Sequence, residues 1–257
     1  MSTFTTEIAS DKIVSDNPIH QRLLKAYIEA KPFVKGKVLE PGCGEGRGIE
    51  VLSPLADEYV ALDKITEVID ALKLKYEGID FRQAVFPPFS DLEDDSFDTV
   101  ISFQVIEHIK EDHLFLKEIH RVLKPGGRAI ITTPNIKMSL SRNPWHVREY
   151  TGAELKKLAA TIFSGVEMKG IAGNEKVMEY HEENRKSVNR IMRFDIFDLQ
   201  YRLPAPVLRF PYEILNRFNR NKLQDQDAGL VSQIHHSDFY LADASDENLD
   251  LFCILTK

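Results

Sequence analysis

Cysteine is almost missing from this chain: two residues in 257, Cys43 and Cys253, far apart and without a partner motif. That argues against a disulfide framework or a zinc site, and a reducing, cytoplasmic setting is the expectation. Long apolar runs are missing too; none approaches the ~20 residues of a membrane span. The opening MSTFTTEIASDK lacks a basic head followed by an apolar run, so no secretory leader is expected. Basic charge is in deficit. With 33 Lys and Arg against 40 Asp and Glu the formal charge is -7, which argues against nucleic acid as a partner.

What is present suits one generous core: 43% hydrophobic and 28% charged residues. From Gly36 to about Gly173 short β-rich runs alternate with amphipathic segments. KVLE, YVALD, IDFRQA, DTVISF, RAIITT and VEMKGIA read as strands. ITEVIDALKLKY and HLFLKEIHRVL read as helices, the second stopped by Lys124-Pro125-Gly126-Gly127. Thr151 to Glu154 spell a capping box opening a further helix. This alternation predicts an α/β fold, a Rossmann-like, mostly parallel sheet with helices on both faces.

Four regions follow. Residues 1–35 form an N-terminal helical cap containing HQRLLKAYIEA. Residues 36–173 are a ligand-binding core. Residues 174–236 are a helical insertion with breaks expected at Pro204, Pro206 and Pro211. Residues 237–257 return to the core through LFCILTK. Between Arg185 and Lys222 stand nine Lys/Arg and three Asp/Glu, a local balance of +6, so the rest of the chain carries -13. Phe194, Phe197, Tyr201, Phe210, Tyr212 and Phe218 interleave with those charges. A lid with solvated basic faces and a surface for peripheral membrane contact both match that pattern.

Glycine is scarce overall, yet Gly42, Gly44, Gly46 and Gly48 fall within seven residues of VLEPGCGEGRGIEVL. A glycine loop between a first strand and a helix is where α/β sheets bind nucleotide-like ligands. The G-x-G-x-x-G dinucleotide pattern fails, because its third glycine falls on Arg47. The phosphate loop fails because no Lys-Ser/Thr follows. Instead a carboxylate, Glu40, precedes Gly42, Gly44 and Gly46, and it suits a ligand carrying an ammonium group. Asp63, ending the next strand, is placed to accept hydrogen bonds from ribose hydroxyls. An amino-acid head joined to a ribose describes S-adenosylmethionine. An ordinary strand-to-helix turn is the alternative.

With these pieces, VLEPGCGEG, VALD, SFDTVISFQVIEHI and LKEIHRVLKPGGRAIITTPN in order, the sequence resembles the class I S-adenosylmethionine-dependent methyltransferases, in particular the group that includes ubiquinone-pathway methyltransferases. The resemblance spans roughly residues 36–135. It implies a seven-stranded sheet with an antiparallel last strand, and methyl transfer that leaves S-adenosyl-L-homocysteine. It also implies that Glu40, Gly42, Cys43, Gly44, Gly46, Asp63 and Lys64 hold the cofactor. Gln83-Ala84 stands where relatives place Asp-Ala beside the adenine, and Phe103 and Gln104 end the fourth strand near the expected sulfonium.

The acceptor is less legible. Ser102-Phe103-Gln104-Val105 does not match the [DN]-P-P-[YF] string of amino methyltransferases. Gln104-x-x-Glu107-His108 resembles a magnesium-binding Glu-x-x-Glu-His set with its first acid lost, so no metal is assigned. In NPWHVREYTGAEL, His146 is the candidate base, with His108 as the alternative. Trp145, Arg148 and Tyr150 are candidates for an acceptor pocket. These readings favour a small-molecule acceptor methylated at oxygen. A protein or RNA methyltransferase and a non-catalytic cofactor-binding module stay open, as does the oligomeric state.

Overall fold

The computed structural model describes residues 13–195, 198–226 and 228–257. Phe197 and the first twelve residues of the N-terminal cap lie outside them. Asn17–Ala30 forms α1, with Pro18 in its first turn, where a missing N–H costs nothing. Then come Lys37–Pro41 (β1), Ile49–Leu52 (α2), Glu58–Asp63 (β2), Thr66–Lys75 (α3), Asp80–Gln83 (β3) and Phe97–Phe103 (β4). Asp112–Val122 (α4), Leu123–Pro134 (β5), Gly152–Ala159 (α5) and Gly165–Gly173 (β6) continue the alternation. The insertion holds Glu175–Met192 (α6), Leu199–Arg202 (α7), Ala205–Gln226 (α8) and Ala228–Gln233 (α9). Phe239–Asp243 (β7) and Asp250–Thr256 (β8) end the chain.

The strands make one sheet in the order β3-β2-β1-β4-β5-β8-β6-β7. Pairings from β3 through β5 are parallel, whereas β8 runs antiparallel to both β5 and β6. Among the described residues the sheet has eight strands, not seven. The addition is β7, an antiparallel edge strand on β6. Its sequence FYLAD, followed by an Asp- and Ser-rich turn, carries too little periodicity to separate it from the end of the insertion. Two apolar clusters sandwich the sheet. One, around Val38, Ile49 and Phe252, includes Tyr27 of α1; the other, around Leu39, Val100 and Cys253, packs under α4 and α5. The Thr151–Glu154 capping box forms as read, with the Glu154 N–H donating to Thr151 Oγ1.

The insertion differs from its expected outline. Of the three prolines, only Pro204 separates helices. Pro206 occupies the first turn of α8, where its missing N–H is harmless, and Pro211 lies inside α8 without ending it. Nor is 174–236 a detachable flap. Leu223, Val231 and Ile234 belong to the core cluster that contains α1. The Asn17 side-chain amide donates to the carbonyls of Val231 and Ile234 at 2.8 and 2.9 Å. Buried Asp16 takes ion pairs from Arg217 at 2.8 Å and Arg220 at 2.9 Å. Two of the nine basic residues of the 185–222 stretch therefore point inward.

Candidate active site

The glycine loop leaves β1 and crosses the carboxyl end of β2, with the Gly42 and Cys43 N–H groups donating to Leu62 O at 2.7 and 3.0 Å. Three of its four glycines answer to protein packing. A Cβ would strike Val105 from Gly42, Leu72 from Gly46 and the Tyr27 ring from Gly48. Gly44 alone among them faces open space: nothing lies within 4 Å of where a Cβ would stand, and φ is +50°. There the Gly44 N–H donates to Asp63 Oδ2 at 2.9 Å, while the Ile65 N–H reaches Oδ1 at 3.0 Å.

Gly44 opens onto a cavity of about 300 Å³ that also touches Gly42, Asp63, Lys64, Ala84, Gln104 and His108. Its size, its carboxylate wall and the cradle that a Cβ would fill fit the nucleoside end of S-adenosylmethionine. Gln104 is one of three non-glycine residues with positive φ among the described residues, at +57°. Its N–H is anchored on Thr132 O at 2.9 Å, so the strained turn is held by the next strand. Sequence reasoning missed the apolar part of the wall, Ile65, Val85, Phe86, Val105 and Ile109. The Pro87-Pro88-Phe89 turn beside Phe86 was its only signal.

Several cofactor candidates lie off this wall. Glu40 is buried, and its two oxygens accept the hydroxyls of Tyr27 (2.8 Å) and Tyr59 (2.7 Å); burial pushes its carboxyl above the ordinary value. Tyr27, a residue of α1, thus stands over the carboxylate. Phe103 packs edge-on against Tyr27, ring centroids 4.7 Å apart, within the core. Cys43 is buried, Gly46 serves packing, and Gln83 is exposed with its amide donating to Lys64 O.

The second cluster forms where the loop after β5 folds over the turn after β4. The Val147 and Arg148 N–H groups donate to Glu107 O at 2.7 and 3.2 Å. His146 Nδ1 lies 2.6 Å from Glu149 Oε1 and its Nε2 lies 2.8 Å from the Asn143 amide. The Ser139 hydroxyl donates to the other Glu149 oxygen. His108 Nδ1 donates to Trp145 O at 2.9 Å, and its ring meets that of His146 edge-on, centroids 4.9 Å apart. Glu107 is buried with the Thr133 hydroxyl donating to it at 2.9 Å; burial pushes its carboxyl up to about 7. Ligand-capable atoms of Glu107, His108 and His146 lie within 4.8 Å of one another, a grouping that can hold a metal ion. Sequence spacing pairs the first two but not the third.

His146 and Glu149 line a second chamber, about 210 Å³, bounded by Arg22 of α1 and by Tyr180 and His181 of α6. Burial depresses His181 to about 4. Arg22 Nε stands 3.1 Å from Asp250, a buried carboxylate raised above its ordinary range by desolvation. No motif marked either residue. Among the acceptor candidates, Trp145 is half-buried under the Arg209 guanidinium, 4.2 Å from the ring centroid. For Tyr150 and Arg148 the expectation is corrected. Tyr150 is fully buried with its hydroxyl on Asp112 at 2.8 Å, and Arg148 lies over its ring and pairs with Asp112. The isolated bridge between Asn135 and Tyr150 lies just beyond β5, and the Tyr150 ring belongs to the cluster packed under α4 and α5.

Residues 39–131 match the Methyltransferase domain family. Over 135 residues the chain is 38% identical to a probable S-adenosylmethionine-dependent methyltransferase of Mycolicibacterium smegmatis, covering 51% of this chain and 52% of that one. It is 31% identical over 133 residues to the mitochondrial ubiquinone biosynthesis O-methyltransferase of Mus musculus, covering 46% and 34%. The chain thus spans about half or less of the length of these curated relatives. In fold it is similar to a Thermotoga maritima S-adenosylmethionine-dependent methyltransferase, described as a possible histamine N-methyltransferase. That match has a TM-score of 0.58 at 13% identity and covers 93% of this chain and 91% of that one. Residues 39–131 of this chain resemble an S-adenosylmethionine-dependent methyltransferase domain, and the chain as a whole shares the fold of such proteins. Its cofactor is S-adenosylmethionine. No helix among the described residues is long and apolar enough to cross a membrane.

Proposed function

We propose that this protein methylates a hydroxyl of a small-molecule acceptor, with His146 taking the proton. One observation carries the reading: His108, on the wall of the cofactor cavity, touches the ring of His146, on the wall of the second chamber. The bound cofactor supplies a methyl group on a positively charged sulfur. Gly42, Gly44, Asp63, Lys64, Ala84 and Gln104 line its cavity, and Glu40 acts from beneath through the two tyrosines. Glu149 orients the His146 imidazole and stabilises the cation formed when it accepts a proton. Asn143 holds the other nitrogen and must yield it to the acceptor. The named O-methyltransferase relative supports oxygen as the target.

The insertion shapes the acceptor side through Tyr180, His181 and α8, and α8 rests the protein on an anionic lipid surface. The test is transfer of a radiolabelled methyl group to panels of phenols, hydroxy acids, sugars, amines, peptides and RNA. Labelling of hydroxyl compounds is expected. His146→Ala should lower kcat about 10²- to 10⁴-fold with cofactor affinity unchanged. Labelling confined to amines, peptides or RNA overturns the assignment.

A further inference from the structure

The insertion encloses a cavity of about 540 Å³ between α6, α7, α8 and the loop at 141–144, a part of the chain outside the family match. A pocket of this size falls in the range that holds small organic ligands, about 300–1,000 Å³. Its walls are overwhelmingly apolar, with Ile191, Met192, Leu203, Leu208 and Leu215 among them. Apolar cavities stay dry and accept hydrocarbon. Leu199 and Leu215 both line the cavity and reach solvent, at 44% and 46% exposure, so it opens on the outer face of the insertion.

The inner end is different. Ser141, Tyr212, Asn216 and Asn219 line both this cavity and the chamber that holds His146 and Glu149. At this shared wall Asn216 Nδ2 and Asn219 Oδ1 are buried and lack a hydrogen-bond partner among the described residues. Asn219 is only 4% exposed, and its own amide nitrogen is used on Asn184 Oδ1 at 2.8 Å. A buried donor and a buried acceptor left unmatched call for a partner that both accepts and donates. A hydroxyl does both.

We infer that this cavity binds the hydrocarbon chain of an amphiphilic acceptor, with a hydroxyl at the asparagine neck and the polar head turned toward His146. The direction of the head rests on the proposed function; the chain site does not. The acceptor class is then a long-chain or lipid-tailed hydroxyl compound. Glycans and other fully polar acceptors leave the cavity unfilled.

The probe is a series of 1-alkanols from hexanol to dodecanol, titrated by calorimetry into the full chain without cofactor. Binding should tighten about fourfold per added methylene and level off once the cavity is full. Leu208→Trp should abolish the gain for the longer members, and Ile191→Trp serves if that variant does not fold. Asn216→Leu should weaken every member by a similar factor while preserving the increment per methylene. Terminally brominated alkanols should quench Trp145, the only tryptophan, because its neighbour Pro144 lines the cavity. Absence of chain-length dependence, or a series untouched by the filling variants, overturns the inference. Because no turnover is read, failure of methyl transfer to hydroxyl compounds leaves this result standing, and the reverse also holds.

Discussion

Gly44 shows how one residue can be essential for a reason its neighbours do not share. Gly42, Gly46 and Gly48 make room for Val105, Leu72 and Tyr27, whereas Gly44 faces the open cavity. A valine there carries a β-branched side chain at φ +50°, costing about 1–3 kcal/mol of strain, and puts its methyls into the cofactor cavity. Gly44→Val should therefore stay folded by circular dichroism yet show no heat of binding with S-adenosylmethionine. Normal binding by that variant places the cofactor elsewhere. Glu107 gives a second test. Its carboxyl is raised from 4.5 to about 7 because it is buried. A raised carboxyl stabilises the fold fully below the unfolded value and loses that contribution as pH rises through 7, on the order of 3 kcal/mol. Melting temperatures should fall from pH 5 to pH 8 more steeply for the native protein than for Glu107→Gln. Parallel curves would show that Glu107 titrates normally.

At the scale of elements, α8 departs furthest from its sequence reading. Pro211 reads as a break because it lacks the N–H of a helical bond, yet neighbouring turns carry the helix through it. Val207, Phe210, Ile214 and Phe218 then fall on one exposed stripe, with Arg202 of α7 also at the surface. A basic side chain beside an exposed apolar stripe suits the surface of an anionic bilayer. The protein should float with vesicles containing phosphatidylserine at low salt, less so with neutral vesicles, and Phe210→Glu with Phe218→Glu should abolish flotation. Equal recovery with both lipids, or none, removes the lipid surface as a partner. The extra strand β7 was illegible for another reason. Five residues of mixed polarity become a strand only because β6 offers an unpaired edge.

At the scale of the whole molecule, the segment ahead of α1 is tied to the insertion. Asp16, ahead of α1, is buried against Arg217 and Arg220, some 200 residues later. Removing one partner of such a cluster leaves charges without compensation. Asp16→Ala should cost about 3 kcal/mol, toward the low end because Arg217 still reaches water. Hydrogen exchange should quicken in α8 and α9 before it does in the sheet. Uniform loss of protection across the chain would mean that the insertion and the core unfold as one unit. By the same argument, replacing 174–236 with a flexible linker should strip the cover from α1 and unfold the protein rather than merely unroof the site.

The parallel core, the glycine loop, the strand-end carboxylate Asp63 and hence the cofactor were all legible in the order of the residues, because each depends on positions a few places apart. Strand period, helix period, capping and backbone freedom are local properties. Long-range packing was needed to select the glycine that faces the open cavity and to bring Tyr27 over Glu40. It turned Tyr150 toward α4 while His146 met His108, and it hollowed the insertion around an apolar cavity. Each of these joins segments tens to hundreds of residues apart, and whether a side chain faces a cavity, the core or water is settled only by what packs against it.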